Sequence, residues 1–310
     1  PATGWQVGPR KIDPKLGRWA ILGAIVVLLL GVIGAIAYRI YDDRYGKPGT
    51  VILSVGSSDV TLGYYTDRLV QFAQANADSG VALAEQALLN KLEDEELTIQ
   101  LAADKGLTIS EQDITDAIAK ELGVPVAGPG SPFDLQYRAR LKTVKMSDSN
   151  YRRLKKAEVA NSRLLDFYSN ENGGIAEQVT LRTIVVADKA QADDLLKRVQ
   201  GGEDLGSLAQ VESAELESRS ADGLMKPEPP ALLPASIQAA IEGKSDGALL
   251  GPVQVEDNYW VFRLEKRDPQ GLLTEAQKSQ LGQKKFDDAL KAKRAATKIT
   301  RSLDADDIKW

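Results

Sequence analysis

The chain has 310 residues and a formal net charge of -5, and it contains neither cysteine nor histidine. A length of this order predicts two or three folding units, and the mildly acidic charge argues against a nucleic-acid backbone as the main partner. The lack of histidine excludes Ser-His-Asp and Cys-His catalysis and any histidine-ligated metal within this chain. Because no phosphate-binding glycine motif and no metal-site spacing of carboxylates occurs, we predict neither a cofactor nor a bound metal.

The stretch from Trp19 to Tyr38 is apolar and carries no charged side chain. About 20 apolar residues in a helix span the ~30 Å hydrocarbon core of a bilayer, so the sequence predicts a single transmembrane helix at 19–38. A cleaved signal peptide is disfavoured, because the apolar run is too long and no small-residue cleavage site follows it. The slight excess of basic residues in the arm at 1–18 predicts one pass through the inner, cytoplasmic membrane, with a cytoplasmic N-terminus and an extracytoplasmic bulk.

Two glycines of this predicted helix, Gly31 and Gly34, offer a small-residue face for packing on another helix. Ordinary glycine usage in membrane helices is the favoured interpretation. The alternative is a membrane protein complex that binds this face. The lipid bilayer is a partner in both cases.

The region at 50–174 has the pattern of a strand followed by helices. Ser110 and Asp113 are spaced as in a capping box ahead of an amphipathic run. The hinge-like composition of Asn170–Gly174 predicts a domain boundary near residue 175. The other predicted elements are a strand that turns at Gly56–Asp59 into a helix from Thr61, a helix ending at Gly106, and helices at 133–145 and 150–168.

The next region alternates between strand and helix patterns. Val179–Val186 is a β-branched run, and an amphipathic run follows it and stops at Gly201. Further along, the pattern predicts a short helix near 205–209, a polar loop to Gly223, a helix near 235–241, and a hairpin of strands at 249–255 and 259–264. A long lysine-rich helix is expected beyond Pro269, and its basic side chains are more often a solvated face than a site for anionic lipid.

These patterns resemble a known family. The runs VTLRTIVVADKAQADDLLKRVQGGEDLGSLA, ADGLM, LLPASIQAAIEGKSDGALLGPVQV and NYWVFRLEKRD resemble a parvulin-type peptidyl-prolyl isomerase domain. The segment at 51–168, most specifically around Gly106 to Ile118, resembles the N-terminal domain of SurA- and PrsA-type chaperones. The resemblance implies an α+β fold with a SurA-N-like helical domain at 50–174. A parvulin-like (FKBP-like) small antiparallel-sheet domain at 175–268 is inserted, and a C-terminal helix and tail at 269–310 complete the helical domain.

The resemblance also assigns site positions. Thr183 and Trp260 stand where the family keeps its two histidines, and Glu215 falls near a family cysteine or aspartate. A lone glutamate in a loop is more often simply solvated, and this is the favoured interpretation of Glu215. In the proline pocket, Leu232 stands for a methionine and Ser236 for a phenylalanine. Ile237 is a candidate substitute for the lost ring and Met225 a further candidate binding residue.

Because function depends on the site and not on the fold, the missing histidines imply weak or absent isomerase activity and no catalytic residue. Three functions stay open. The favoured one is a membrane-anchored chaperone or foldase that binds unfolded or exported polypeptides. The others are an accessory subunit of a membrane complex and an active isomerase with altered chemistry.

Overall fold

The computed structural model describes residues 34, 46–75, 81–171 and 173–303. The predicted arm at 1–18, nearly all of the predicted membrane helix at 19–38 and the tail at 308–310 lie outside these residues. None of the helices in the described ranges combines the length and the apolar character needed to cross a membrane. The chain divides into two compact units, residues 1–96, 134–151 and 297–310, and residues 97–133 and 152–296.

Helices and strands cover most of the described residues. The strands are β1 (Val51–Val55), β2 (Ser58–Thr61), β3 (Ile175–Val186), β4 (Leu249–Val255), β5 (Asn258–Leu272) and β6 (Ile299–Arg301). The first five helices are α1 (Leu62–Ala75), α2 (Val81–Asp104), α3 (Glu111–Leu122), α4 (Pro132–Val144) and α5 (Asp148–Asn170). The remaining helices are α6 (Lys189–Gln200), α7 (Leu205–Glu212), α8 (Leu216–Ser220), α9 (Ala235–Ile241) and α10 (Glu275–Ala296), with 3-10 turns at Lys47–Gly49 and Pro230–Leu232.

The first unit contains a three-stranded antiparallel sheet in the order β2-β1-β6. The sequence pattern predicted a turn directly into a helix after β1, but a second strand, β2, comes first. Gly56 adopts a φ of 59°, which lets the chain reverse tightly, and the Ser54 hydroxyl donates to Asp59 across the turn at 2.7 Å. The missed strand is therefore the second arm of a hairpin.

Charged groups join this sheet to helix α2. Arg301, on β6, forms an ion pair with Glu93, whose side chain is only 1% exposed. The same guanidinium donates to Asn90 at 2.7 Å. Elsewhere in the unit, Arg68 donates two hydrogen bonds to Glu95, at 2.6 and 2.8 Å. Such bidentate pairs fix geometry as well as charge.

Helices of the second unit pack around an apolar cluster that includes Leu101, Ala160, Leu164 and Phe286. Phe286 belongs to α10, so the lysine-rich helix buries an apolar face while its charged side chains stay outside. The predicted capping box at the start of α3 is confirmed. The Ser110 side chain accepts a hydrogen bond from the backbone N–H of Asp113, and the Asp113 carboxylate accepts one from the backbone N–H of Ser110.

The second unit also contains the sheet module, residues 175–272, whose antiparallel sheet has the order β3-β5-β4. The predicted hairpin is confirmed, although β3 and β5 extend further than expected. Side chains alternate between two faces: Ile184 and Val261 pack against α6 and α7, while Leu181 and Phe262 pack against α9. The predicted domain boundaries at 174/175 and 268/269 stay predictions.

Candidate functional site

The site begins at Thr183, on the face of β3 that packs toward α9. This side chain is fully buried. Its hydroxyl donates to the Gly223 carbonyl over 3.5 Å, and its backbone N–H donates to the same oxygen at 2.7 Å. A polar side chain in the middle of an apolar sheet is thus satisfied from within the protein and is closed to any ligand.

Trp260 lies on the neighbouring strand, one side-chain step away along the same face. Thr183 pairs with Phe262, while Trp260 pairs with Val185. Residues two apart in a strand share a face, so Thr183 and Trp260 are diagonal neighbours on the α9 side. Trp260 is partly buried against the cluster that contains Phe262 and Ile237. Its indole therefore covers part of this face.

A loop at 213–228 covers the free edge of β3. Both of its ends bond to the strand, while its middle part folds into the short helix α8, where the sequence predicted a polar loop. The Ser213 hydroxyl accepts from the N–H of Val185 at 3.1 Å. The backbone bonds are Ala214 N to Val185 O at 2.6 Å, Thr183 N to Gly223 O at 2.7 Å, Met225 N to Leu181 O at 2.8 Å and Glu228 N to Val179 O at 2.9 Å.

Gly223 is required where the loop returns to the strand. Its φ is 76°, and a Cβ there would lie 2.7 Å from the Thr183 carbonyl oxygen and 2.9 Å from Cβ of Ala209. Only glycine adopts this conformation without strain and allows so close an approach. The position of the loop therefore depends on this residue.

Between α8 and the returning segment, the loop encloses a cleft of about 440 Å³, which is within the range of ligand pockets. Its walls are partly apolar and partly charged. Leu224 is 41% exposed, and Leu216, next to the cleft residue Glu215, is 76% exposed. The lining includes Glu215, Ser220, Leu224, Met225, Lys226 and Glu228.

The cleft's two carboxylates differ from its lysine in exposure. Glu215 and Glu228 are half-buried, whereas Lys226 is exposed. The carboxylate of Glu228 accepts a hydrogen bond at 3.1 Å from the amide of Gln277, a buried residue in the first turn of α10. The same amide donates to the Pro227 carbonyl at 2.9 Å. One wall of the cleft is thus fixed by the helix that follows the sheet module.

The predicted site residues fall into two groups. Glu215 and Met225 line the cleft, and Met225 also packs against the cluster beneath Trp260. The other predicted pocket residues lie in the 3-10 turn before α9 and at the start of α9, and they are not among the described residues that line the cleft. Leu232 is half-buried, Ser236 is exposed and donates to the Gln254 carbonyl at 2.9 Å, and Ile237 is fully buried. Their roles in binding stay predictions.

The cleft presents carboxylates, an ammonium group and apolar side chains to a ligand. A threonine hydroxyl and an indole do not exchange protons near neutral pH, and within the described ranges no group of three acidic side chains is arranged to hold a metal ion. Sequence reasoning missed Glu228, Lys226 and Gln277. The Thr274 to Gln277 spacing does indicate a capping box, with bonds of 3.0 and 3.2 Å, but no local signal indicates the contact with the loop.

A small antiparallel sheet, flanked by helices and edged by a cleft-forming loop, defines the class of this part of the chain. Residues 159–277 match the family model described as the PPIC-type PPIASE domain. The match covers the sheet module and parts of the helices next to it, and for this segment it confirms the resemblance to a parvulin-type peptidyl-prolyl isomerase domain read from the sequence. No curated protein matches the chain.

Several solved structures are similar to the chain at low identity. The peptidylprolyl isomerase PrsA of Bacillus anthracis has 15% identity and a TM-score of 0.44, over 66% of this chain and 95% of that one. PrsA of Bacillus cereus has 13% identity and a TM-score of 0.42, over 79% and 86%. A structure from Campylobacter jejuni, titled for the SurA-like chaperones PEB4 and Cj1289, has 15% identity and a TM-score of 0.30, over 78% and 93%.

Proposed function

We propose that the protein is a parvulin-like chaperone of exported polypeptides, held at the membrane by the helix at 19–38, with weak or absent prolyl isomerase activity. The observation that carries the proposal is the state of the two positions where the family resemblance expects histidines. Thr183 is fully buried and bonded to Gly223, and Trp260 packs on the same face.

The barrier to rotation about a peptide bond is about 18–20 kcal/mol, so an isomerase must stabilise a twisted amide by contacts that tighten in the transition state. Thr183 presents no hydroxyl to a client, because its side chain is fully buried and lies against the Gly223 carbonyl. Trp260 adds apolar bulk instead of an imidazole. We therefore expect the domain to bind extended chain segments without accelerating their isomerisation appreciably.

The cleft supports the binding half of the proposal. Exposed apolar side chains that gather at one place mark interaction sites, and Leu216 and Leu224 are among the exposed large hydrophobic residues of the structure. Segments of a non-native polypeptide carry side chains that match such a surface. The complex-subunit function, which rests on Gly31 and Gly34, stays an alternative prediction.

The first experiment measures prolyl isomerase activity and chaperone activity on the full chain in detergent. Cis/trans relaxation of a proline peptide is followed at high protein concentration, and aggregation of an unfolded client is followed in parallel. We expect an unchanged relaxation rate and suppressed aggregation. Accelerated relaxation at substoichiometric protein would establish an active isomerase, and aggregation that proceeds unchanged would refute the chaperone.

One variant sharpens the isomerisation assay. Trp260→His returns an imidazole at a partly exposed position, whereas a histidine at the buried Thr183 would have to displace the loop at Gly223. We expect the single variant to stay inactive because one of the two positions is still closed. Membrane anchoring is tested separately by alkaline extraction of membranes. The full chain should stay in the membrane fraction, and a chain that lacks residues 1–38 should be released. Retention of the shortened chain would refute the anchor.

A further inference from the structure

One wall of the cleft carries a carboxylate with a fixed position. Glu228 is half-buried, its backbone pairs with Val179 on the edge of β3, and its side chain accepts from Gln277 at 3.1 Å. The backbone bridge fixes the main chain and the buried amide fixes the carboxylate. Its charge is therefore held toward the cleft without the entropy cost that a free surface glutamate would incur on binding.

The described part of the chain supplies Glu228 with a neutral amide but with no ion pair. A second carboxylate, Glu215, also lines the cleft, directly before α8. The one cationic side chain in the described lining, Lys226, is exposed, so water and salt screen its charge more strongly than that of the half-buried carboxylates. The interior of the cleft thus favours a positive charge.

Apolar side chains flank these carboxylates. Met225 packs inward against the core of the sheet module, while Leu224 is 41% exposed at the opening. The cleft therefore offers a carboxylate and an apolar surface within one cavity of about 440 Å³. That volume suits one or two side chains of an extended peptide, not a folded surface.

We propose that this cleft selects segments of non-native polypeptides in which a lysine or arginine lies beside a large aliphatic residue. Glu228 accepts the cation, and Leu224 with Met225 receives the aliphatic side chain. Gln277 acts as a positioning residue, since it touches Glu228 and not the client. The inference rests on the proposed chaperone function and names its substrate class from charge complementarity.

The test uses extended peptides that differ at one position next to a leucine, where they carry lysine, glutamine or glutamate. Binding to the full chain in detergent is measured by fluorescence anisotropy. A charge contact of this kind contributes up to about 1 kcal/mol, so we expect the lysine peptide to bind about fivefold more tightly than the glutamine peptide. The glutamate peptide should bind most weakly, and added salt should reduce the differences.

Three variants test whether Glu228 causes the preference for the lysine peptide. Glu228→Gln should abolish it, whereas Glu242→Gln, which makes the same charge change at an exposed position of the same module, should leave it intact. Lys226→Met should increase it by removing the competing cation, and this variant tests the inference even if Glu228→Gln folds poorly.

The outcomes separate the two proposals. Equal binding of all three peptides would overturn the charge selection while leaving the chaperone function standing. A preference that survives Glu228→Gln in a folded protein would overturn the assignment to Glu228, as would a preference that Lys226→Met leaves unchanged. Failure of every peptide to bind would count against the chaperone function itself.

Discussion

The sheet β2-β1-β6 is joined to its neighbouring helix by charged groups, whereas the sheet β3-β5-β4 is packed between two apolar clusters. In the first, Arg301 pairs with Glu93, which is 1% exposed. In the second, Thr183 is a fully buried polar residue that bonds to the protein's own backbone. The first sheet also buries apolar side chains of β1, but loss of one partner of its ion pair would weaken the neutralisation of a buried charge. The second sheet carries this threonine and Trp260 at the positions where the family resemblance expects histidines, within an apolar framework.

The largest expected effect is on the first sheet. Arg301→Ala removes one cation from the buried carboxylate of Glu93, and breaking such a pair costs on the order of 3 kcal/mol. We expect a corresponding loss in the free energy of unfolding, measured by urea denaturation. Thr300→Ala, at an exposed position of the same strand, is the matched control. If both variants lose the same small amount, the ion pair does not hold β6 in place and the contrast between the sheets fails.

Local patterns predicted the second sheet better than the first. The β-branched run at Val179–Val186 and the capping box at Ser110 depend on residues close in sequence, and both agree with the structure. Arg301 and Glu93 are 208 residues apart, and neither carries a local signal of its partner. The same limit applies to the site: Glu215 was found by resemblance, but Glu228 and Gln277 meet only after the chain has folded.

A smaller loss in the free energy of unfolding is expected for a substitution in the loop of the sheet module. Gly223→Ala adds a Cβ 2.7 Å from the Thr183 carbonyl oxygen at a φ of 76°. Strain and displacement together should cost about 2 kcal/mol, measured by urea unfolding. Gly243→Ala separates the two causes, because Gly243 has a φ of 66° and nothing within 4 Å of an added Cβ. If both variants are destabilised equally, backbone strain alone is responsible and the contact with Thr183 is unimportant.

A stabilising change is expected in the first unit. Tyr65 is 3% exposed, and its hydroxyl has no hydrogen-bond partner within the part of the chain that the structure describes. Tyr65→Phe removes a buried polar group that is not satisfied by the described protein, so it should raise the free energy of unfolding by about 1 kcal/mol. Tyr64→Phe is the matched control, because its hydroxyl accepts from Arg68 at 2.9 Å, and this variant should be destabilised.

The same tyrosine gives a pH prediction. Burial, with a smaller contribution from the charge of Glu85, raises the pKa of Tyr65 from 10.0 to about 12. Because the pKa is higher in the folded state, the stability linked to this group is complete below pH 10 and is lost as the pH rises through the folded value. Ultraviolet titration of the phenols should show one fewer late-ionising group in Tyr65→Phe. If the variant instead loses a phenol that ionises near pH 10, the raised pKa of Tyr65 is refuted.

The smallest effect is expected at Thr183, one of the two positions where the family resemblance expects a histidine. Thr183→Val removes the hydroxyl but keeps the shape, and the bond that it loses is long, at 3.5 Å. The backbone N–H of the same residue continues to donate to Gly223 at 2.7 Å, so that carbonyl keeps a partner. We expect a change within about 1 kcal/mol in the free energy of unfolding and unchanged suppression of client aggregation. A loss as large as that of Arg301→Ala would show that the second sheet depends on a buried polar contact as strongly as the first, and a loss of chaperone activity without unfolding would return Thr183 to the functional site.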